Sequence, residues 1–441
     1  VKVGRIPILA VKGLEVTYRK IECLSPRSSS PNIMPPIHLI ILGNALPEPG
    51  NLDGASRICL EVMSRWARSG KIRATIITSA KRAETCRAVG FPAETQYVLW
   101  PDCPGVWTVP GHQFAAIKVR RCASRMALPE GNERTTIYSA SDFYPDVWSA
   151  EVLKKRMPEA SWIASRFLFV PNPFKGWKNA YDSKLRLPDL PLLLGAIYQK
   201  ISFYTILKAD GWLITNEVDK AYFPKRIDTA TRVKAAYGGV HFREIHETPM
   251  QVPKYAGVFC GRISPQKGVL DLVEIWRKVC DQKPDAKLAL IGNGHKPFED
   301  ELKAKIQQLK LGSNVDWLGF MDGPKKHAIY KQSRVFLHTS VYDNYGMAAC
   351  EAMAAGVPAI MYDLPPLRVA YPSGVRKAKL NDQNEFAQIV LDLNRDDAEY
   401  AVFSAEATAW AETQDWDNKA EELWEFFWGL LPSPLGESGW G

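Results

Sequence analysis

Short, mainly apolar runs alternate with amphipathic helical stretches along most of this 441-residue chain, and that alternation constrains the fold more than any other feature. The runs are read at 37–42 (IHLIIL), 73–78, 135–138 and 212–215, and again at 255–260, 287–291, 335–338 and 358–361. Strands apolar on both faces need cover on both faces. Intervening helices provide that cover in parallel sheets, so an α/β chain with two Rossmann-like domains is expected. The length also exceeds what one core usually serves. Segment 239–254 lacks apolar periodicity and reads as the hinge. The expected organisation is an extension and Ser/Pro-rich linker over 1–36, a first domain over 37–245 and a second over 246–415. A helix over 416–432 follows; its WEFFW is too apolar to stand alone and should pack on another element. Residues 433–441 should fray.

Charge narrows the partners. Residues 1–230 carry 32 Lys and Arg against 20 Asp and Glu (+12), while the remainder carries 24 against 28 (−4). A basic first half suits an anionic partner, or is simply a solvated basic surface. No apolar stretch approaches the roughly 20 residues of a membrane-spanning helix. The opening VKVGRIPILAVKG lacks the sustained apolar core of a secretory signal, so a cytoplasmic location is expected. The eight cysteines form no C-x-x-C pair and read as reduced core thiols rather than disulfides or zinc ligands.

Two segments carry chemistry. In YAGVFCGRISPQKG (255–268) an apolar strand runs into a loop with Arg262 and Lys267 before the helix VLDLVEIWRKV. A guanidinium fork, a compact ammonium and a helix N-terminus together make an anion site; a plain strand-to-helix turn is the alternative. In HTSVYDNYGMAACEAMAAGVPAIMY (338–362) a loop enters a small-residue helix starting near Gly346 and stopping at Gly356. The amides of Gly346, Met347 and Ala348 would face a ligand at the strand ends. Asp343 and Glu351 stand eight residues apart, one on the loop and one in the helix. They can address different ends of one ligand, or serve as a helix-dipole Asp and a solvent-facing Glu. A carboxylate amid Ala and Met is unusual for a solvent face.

GRISPQKG and DNYGMAACEAMAAGVPAI, about 80 residues apart, resemble the paired motifs of the retaining family 4 of GT-B glycosyltransferases, also called glycosyl transferase group 1. IGNGHK, VDWLGFMD, Ser340 and the helix around DWDNKAEELW extend the likeness over 250–430. LDGASR and SASDFYPD carry a weaker likeness in the first half. The resemblance implies two Rossmann-like domains facing each other across a cleft, with the C-terminal helix crossing back to the first. It implies metal-independent transfer of a hexosyl group, with retention, from a nucleotide diphosphate sugar to an acceptor hydroxyl, and no cofactor. Arg262 and Lys267 would hold the diphosphate and neutralise its growing charge. Asp343 would bind the transferred sugar and Glu351 the ribose. Tyr345, Gly346, Met347 and Ala348 would line the distal phosphate, and Gly54 would approach it from the first domain.

The sequence departs from the family pattern at three places. Asp343 stands where Glu is commoner, Asn344 where Gly, Pro or Ser is usual, and Ser139 and Ser141 flank a strand end that often bears a His. His112 and Asp142 are the remaining first-domain candidates for an acceptor or sugar contact, against a surface or cap role. Residues 194–208 read either as a packed Rossmann helix or as an amphipathic membrane-contact helix. The expected partners are the nucleotide sugar and an unidentified acceptor, anionic or lipid-linked, with peripheral membrane contact at the inner face and no nucleic acid. A non-catalytic nucleotide-sugar or protein-binding scaffold is the competing reading.

Overall fold

The computed structural model describes residues 36–44, 46, 54–101, 109–129, 134–176, 180, 187 and 190–431. The first sheet holds β1 (Ile37–Leu42), β2 (Ile72–Ser79), β3 (Gln96–Trp100), β4 (Thr135–Ser139), β5 (Ser161–Arg166), β6 (Gly211–Ile214) and β7 (Val233–Ala235). These strands are parallel, in the order β3-β2-β1-β4-β5-β6-β7. The second sheet holds β8 (Gly257–Cys260), β9 (Leu288–Ile291), β10 (Val315–Gly319), β11 (Phe336–His338), β12 (Ala359–Tyr362) and β13 (Val375–Ala378). Its order is β10-β9-β8-β11-β12-β13, so both sheets reverse direction beside their first strand. Such a reversal opens a crevice at the carboxyl ends of the strands, where ligands of doubly wound sheets bind.

The apolar runs became strands because helices bury them from both sides. Leu39 of β1 pairs with Ala74 of β2 and Thr136 of β4 and is 1% exposed. One strand the apolar pattern missed carries polar residues inside. β5 reads SWIASR, yet all six of its residues are buried, Arg166 among them. Of the described cysteines, Cys59, Cys86, Cys280 and Cys350 are buried thiols, and neither they nor Cys122 and Cys260 form disulfides.

The final helix, Trp416–Gly429, lies on the first domain. Its Trp424 and Phe427 meet Trp66 edge-on at 5.3 and 4.9 Å, and the Trp66 indole donates to the Ala420 carbonyl at 2.9 Å. Leu423 and Phe427 are buried there, each contributing about 1.5–3 kcal/mol. The chain therefore crosses between the sheets twice. The two crossings touch: Val240 N–H donates to Gln414 O at 2.9 Å, and Trp416 N–H donates to Val240 O at 3.1 Å.

Candidate active site

The strand ends of the two sheets meet. After β8 the chain passes through a tight turn, Pro265–Lys267, to Gly268 and then the helix Val269–Gln282. Gly268 has φ +64°, and a Cβ there would stand 1.9 Å from Thr339 O, so only glycine lets this loop lie against the segment after β11. Three hydrogen bonds join the loops: Val341 N–H to Gln266 O, Gln266 Nε2 to Tyr342 O and Thr339 Oγ1 to Lys267 O, each at 3.0 Å.

That junction places Lys267 Nζ 2.5 Å from Asp343 Oδ2. His338 Nε2 lies 3.1 Å from the same oxygen without the alignment of a hydrogen bond, and Asp343 Oδ1 accepts from the Asn344 amide at 3.0 Å. Burial alone would push the Asp343 carboxyl up. The Lys267 ammonium and the His338 ring override it and hold the group well below the usual carboxylate range. Arg262 is exposed and makes no ion pair with a described residue. The two cations expected at one anion thus differ: one is engaged, the other open to solvent.

Helix Met347–Ala354 begins at Gly346 (φ +76°), where a Cβ would press within 2.6 Å of the His338 ring. Met347 and Ala348 form its open first turn. Across the junction, helix Gly54–Arg68 begins at Gly54, and a Cβ on Gly54 would lie 3.0 Å from Met347 Sδ. Two helix N-termini from different domains therefore converge, each presenting a positive dipole end. The Tyr345 side chain takes no part, being buried at 5.3 Å from the Tyr237 ring and 5.4 Å from the Tyr371 ring. Only its backbone reaches the site.

Glu351 is buried rather than solvent-facing. Its carboxylate lies 3.0 Å from Lys326 Nζ, 3.4 Å from the Tyr330 hydroxyl and 3.6 Å from Arg57 Nη1, which belongs to the first domain. Arg57 Nη2 also donates to Asp322 Oδ2 at 2.9 Å, and Lys326 to Asp322 Oδ1 at 2.8 Å. Against the push of burial, Lys326 and Arg57 hold Asp322 down to about 2. Burial would lower Lys326, but Glu351 and Asp322 raise it, so it stays charged.

The first-domain candidates are placed less centrally. Asp142 is buried 3.6 Å from Arg166 Nη1 with one carboxylate oxygen lacking a hydrogen bond, and burial pushes its carboxyl up. Ser139 accepts from the Trp162 indole at 3.2 Å, and Ser141 donates to Asp146 at 2.5 Å, so both serines serve the domain's interior. His112 falls in helix Val109–Arg125, but its side chain lies outside the described residues.

Sequence reasoning missed Arg57, Lys326, His338 and Asn216. His338 and Asn216 had a usable signal, since each is polar at or just beyond the carboxyl end of an apolar strand. Arg57 and Lys326 had none; each is one surface-type cation among many until the helices pack.

Residues 243–410 match the family described as Glycosyl transferases group 1. The chain is 27% identical over 183 residues to the poly(glycerol-phosphate) alpha-glucosyltransferase of Bacillus subtilis (strain 168), covering 39% of this chain and 25% of that one. It is 26% identical over 206 residues to the GDP-mannose:cellobiosyl-diphosphopolyprenol alpha-mannosyltransferase of Xanthomonas campestris, covering 46% and 50%. It thus spans between a quarter and half of the length of these curated relatives. Among solved structures, Anabaena HepE in complex with UDP-glucose superposes with a TM-score of 0.64 at 15% identity, covering 89% of this chain and 99% of that one. Sucrose-phosphate synthase from Thermosynechococcus elongatus gives 0.64 at 16% identity, covering 89% and 99%. These likenesses show the fold: two facing Rossmann-like domains of the GT-B kind.

Proposed function

With residues 243–410 forming a glycosyl transferases group 1 domain on a GT-B fold, we propose that this protein is a retaining, metal-independent glycosyltransferase that moves a hexosyl group from a nucleotide diphosphate sugar to an acceptor hydroxyl. The observation that carries the reading is the junction itself. Lys267 and Asp343 form one largely enclosed pair, their side chains 18% and 13% exposed, beside two converging helix N-termini, with a buried Glu351 on the second helix.

In this reading Arg262, exposed above the loop, and Lys267 grip the diphosphate, aided by the amides at Gly54 and over Gly346–Ala348. The bond from the sugar's anomeric carbon to the phosphate oxygen breaks with its electron pair going to that oxygen. The acceptor oxygen bonds to the same carbon on the same face and passes its proton to the departing phosphate oxygen. The two cations favour the transition state because negative charge on the diphosphate grows as the bond breaks. Asp343, kept ionised by Lys267, accepts from a sugar hydroxyl, and Glu351 accepts from the ribose.

The acceptor is proposed to be lipid-linked and met at a membrane surface. Helix Leu190–Ile206 buries Leu192, Ser202 and Ile206 against the first domain, yet Leu190, Leu194, Ile197, Ile201 and Tyr204 are between 49% and 65% exposed. They recur every three or four residues along one face, and Lys200 is the helix's only charge. A packed helix and an amphipathic contact helix are thus combined in one element. An exposed apolar ridge on the basic half suits an anionic lipid surface. Among the described residues no helix is long and apolar enough to cross a membrane.

The test is a thermal-shift screen against nucleoside diphosphates and their sugars, with magnesium and with chelator. A selective, chelator-resistant rise in Tm followed by donor hydrolysis is expected. A shift without hydrolysis or transfer would leave a binding scaffold, and no shift with any nucleotide would overturn the donor site.

A further inference from the structure

The loop bearing Asp343 is held from both sides of the junction. Asn216, two residues beyond the end of β6 in the first domain, is fully buried. Its Oδ1 accepts from the Val218 amide at 3.0 Å, which fixes the amide orientation, and its Nδ2 donates to Asn344 O and Pro366 O, both at 2.9 Å and both in the second domain. The neighbours of Asp343 complete the contact from the other side. The Tyr342 hydroxyl donates to Phe169 O at 2.6 Å, and Asn344 Nδ2 donates to Phe167 O at 3.2 Å. The receiving segment is itself braced, because Thr215 Oγ1 donates to Phe167 O, and Gln199 bonds Leu168 O and the Val170 amide.

The residues on either side of Asp343 are thus fastened to the first domain, while Asp343 points back to Lys267 in the second. We infer that Asn216 is a positioning residue: by bridging both domains it fixes the Asp343 loop, so that the sugar-facing carboxylate is in place only when the domains are closed. The inference rests on the proposed role of Asp343 at the transferred sugar. It also accounts for Asn344, whose side chain is turned onto the first domain instead of into the donor-sugar pocket. Displacing a reacting group by about 1 Å can cost on the order of 100-fold in rate, so a clamp of this kind acts on turnover more than on nucleotide binding.

The experiment compares Asn216→Asp with the parent. Aspartate keeps the volume and the capping oxygen but sets a carboxylate oxygen against two carbonyls, so the first domain stays capped while the bridge repels. Without ligand, the radius of gyration from solution scattering should rise. Affinity for UDP and GDP should fall less than kcat does, by no more than about 3-fold, because Arg262, Lys267 and Glu351 lie in the second domain and only the Gly54 amides come from the first, while kcat for hydrolysis of UDP-glucose or GDP-mannose should fall about 10- to 100-fold. Tyr342→Phe, which removes one phenol bond and little volume, should shift kcat the same way by less, and the double variant should lose less than the product of the two. Unchanged scattering and rate would overturn the inference, as would a kcat loss matched by an equal loss of nucleotide affinity. If the parent binds neither nucleotide, the proposed function fails instead, and the scattering comparison still decides whether Asn216 holds the domains closed.

Discussion

Lys267 and Asp343 share a 2.5 Å contact across 76 residues of chain, with side chains only 18% and 13% exposed. Each of these charges would be costly to bury alone, and each is tolerable because the other is there. The pair joins the loop read as a phosphate site to the loop read as a sugar site, so the two motifs form one charged unit.

Lys267→Ala should therefore destabilise the protein by about 3 kcal/mol in urea unfolding, since it strands a buried carboxylate, and adding Asp343→Asn should restore part of the loss. The pH dependence has a definite sign. Asp343 titrates below its unfolded value, so its contribution is complete above about pH 4 and is lost as the pH falls through the depressed value. The difference in Tm between the parent and Asp343→Asn should stay flat from pH 8 to about pH 4 and narrow only below it. Narrowing already at pH 6 would contradict the pairing.

Gly268→Ala should be among the most damaging single changes in the second domain. The added methyl would stand 1.9 Å from a backbone oxygen, at φ +64°, where no flexible side chain can yield. A loss of at least about 2 kcal/mol in chemical unfolding is expected. A fully stable variant would show that the Lys267 loop does not lie against Thr339.

Arg262→Ala separates binding from stability. Because Arg262 is exposed and makes no ion pair with a described residue, unfolding should change by less than about 0.5 kcal/mol. Titration calorimetry with UDP or GDP should show at least about a 10-fold weaker Kd, the scale of one lost charged hydrogen bond. Equal affinity in the variant would remove Arg262 from the donor site.

Asp219 predicts the opposite pH trend to Asp343. It is 5% exposed, one carboxylate oxygen lacks a hydrogen bond, and burial pushes it up to about 7 although Arg166 opposes the rise. As pH climbs from about 4 to 7 the unfolded chain releases this proton while the folded protein keeps it, so the group costs stability across that window. Asp219→Asn should gain Tm relative to the parent between pH 4 and 7 and hold that gain above pH 7. A constant difference across the range would show that Asp219 titrates normally.

The ridge on helix Leu190–Ile206 is tested by Ile197→Asp with Ile201→Asp. Both side chains are about half exposed, so secondary structure by circular dichroism should be retained. Co-sedimentation with vesicles containing phosphatidylglycerol should fall several-fold. Unaltered sedimentation would assign the ridge no part in membrane contact.

Sequence alone determined the two parallel-sheet domains and both loops, because those depend on local rules. Runs such as IHLIIL and GVFC must be covered on both faces, and Gly346 and Gly356 bracket the small-residue helix Met347–Ala354. β5 was illegible because its Ser and Arg side chains are buried by partners distant in the chain. Tertiary structure alone decided that Lys267 meets Asp343 and that Lys326 and Arg57 take Glu351. It also decided that the Tyr345 ring turns into the core and that Asn344 grips the first domain. The reason is physical. Periodicity reports which face of an element is buried, but a charged side chain's partner depends on how separate elements dock, and the hydrogen bonds that fix that docking run mostly to backbone carbonyls, whose chemistry is the same at every residue.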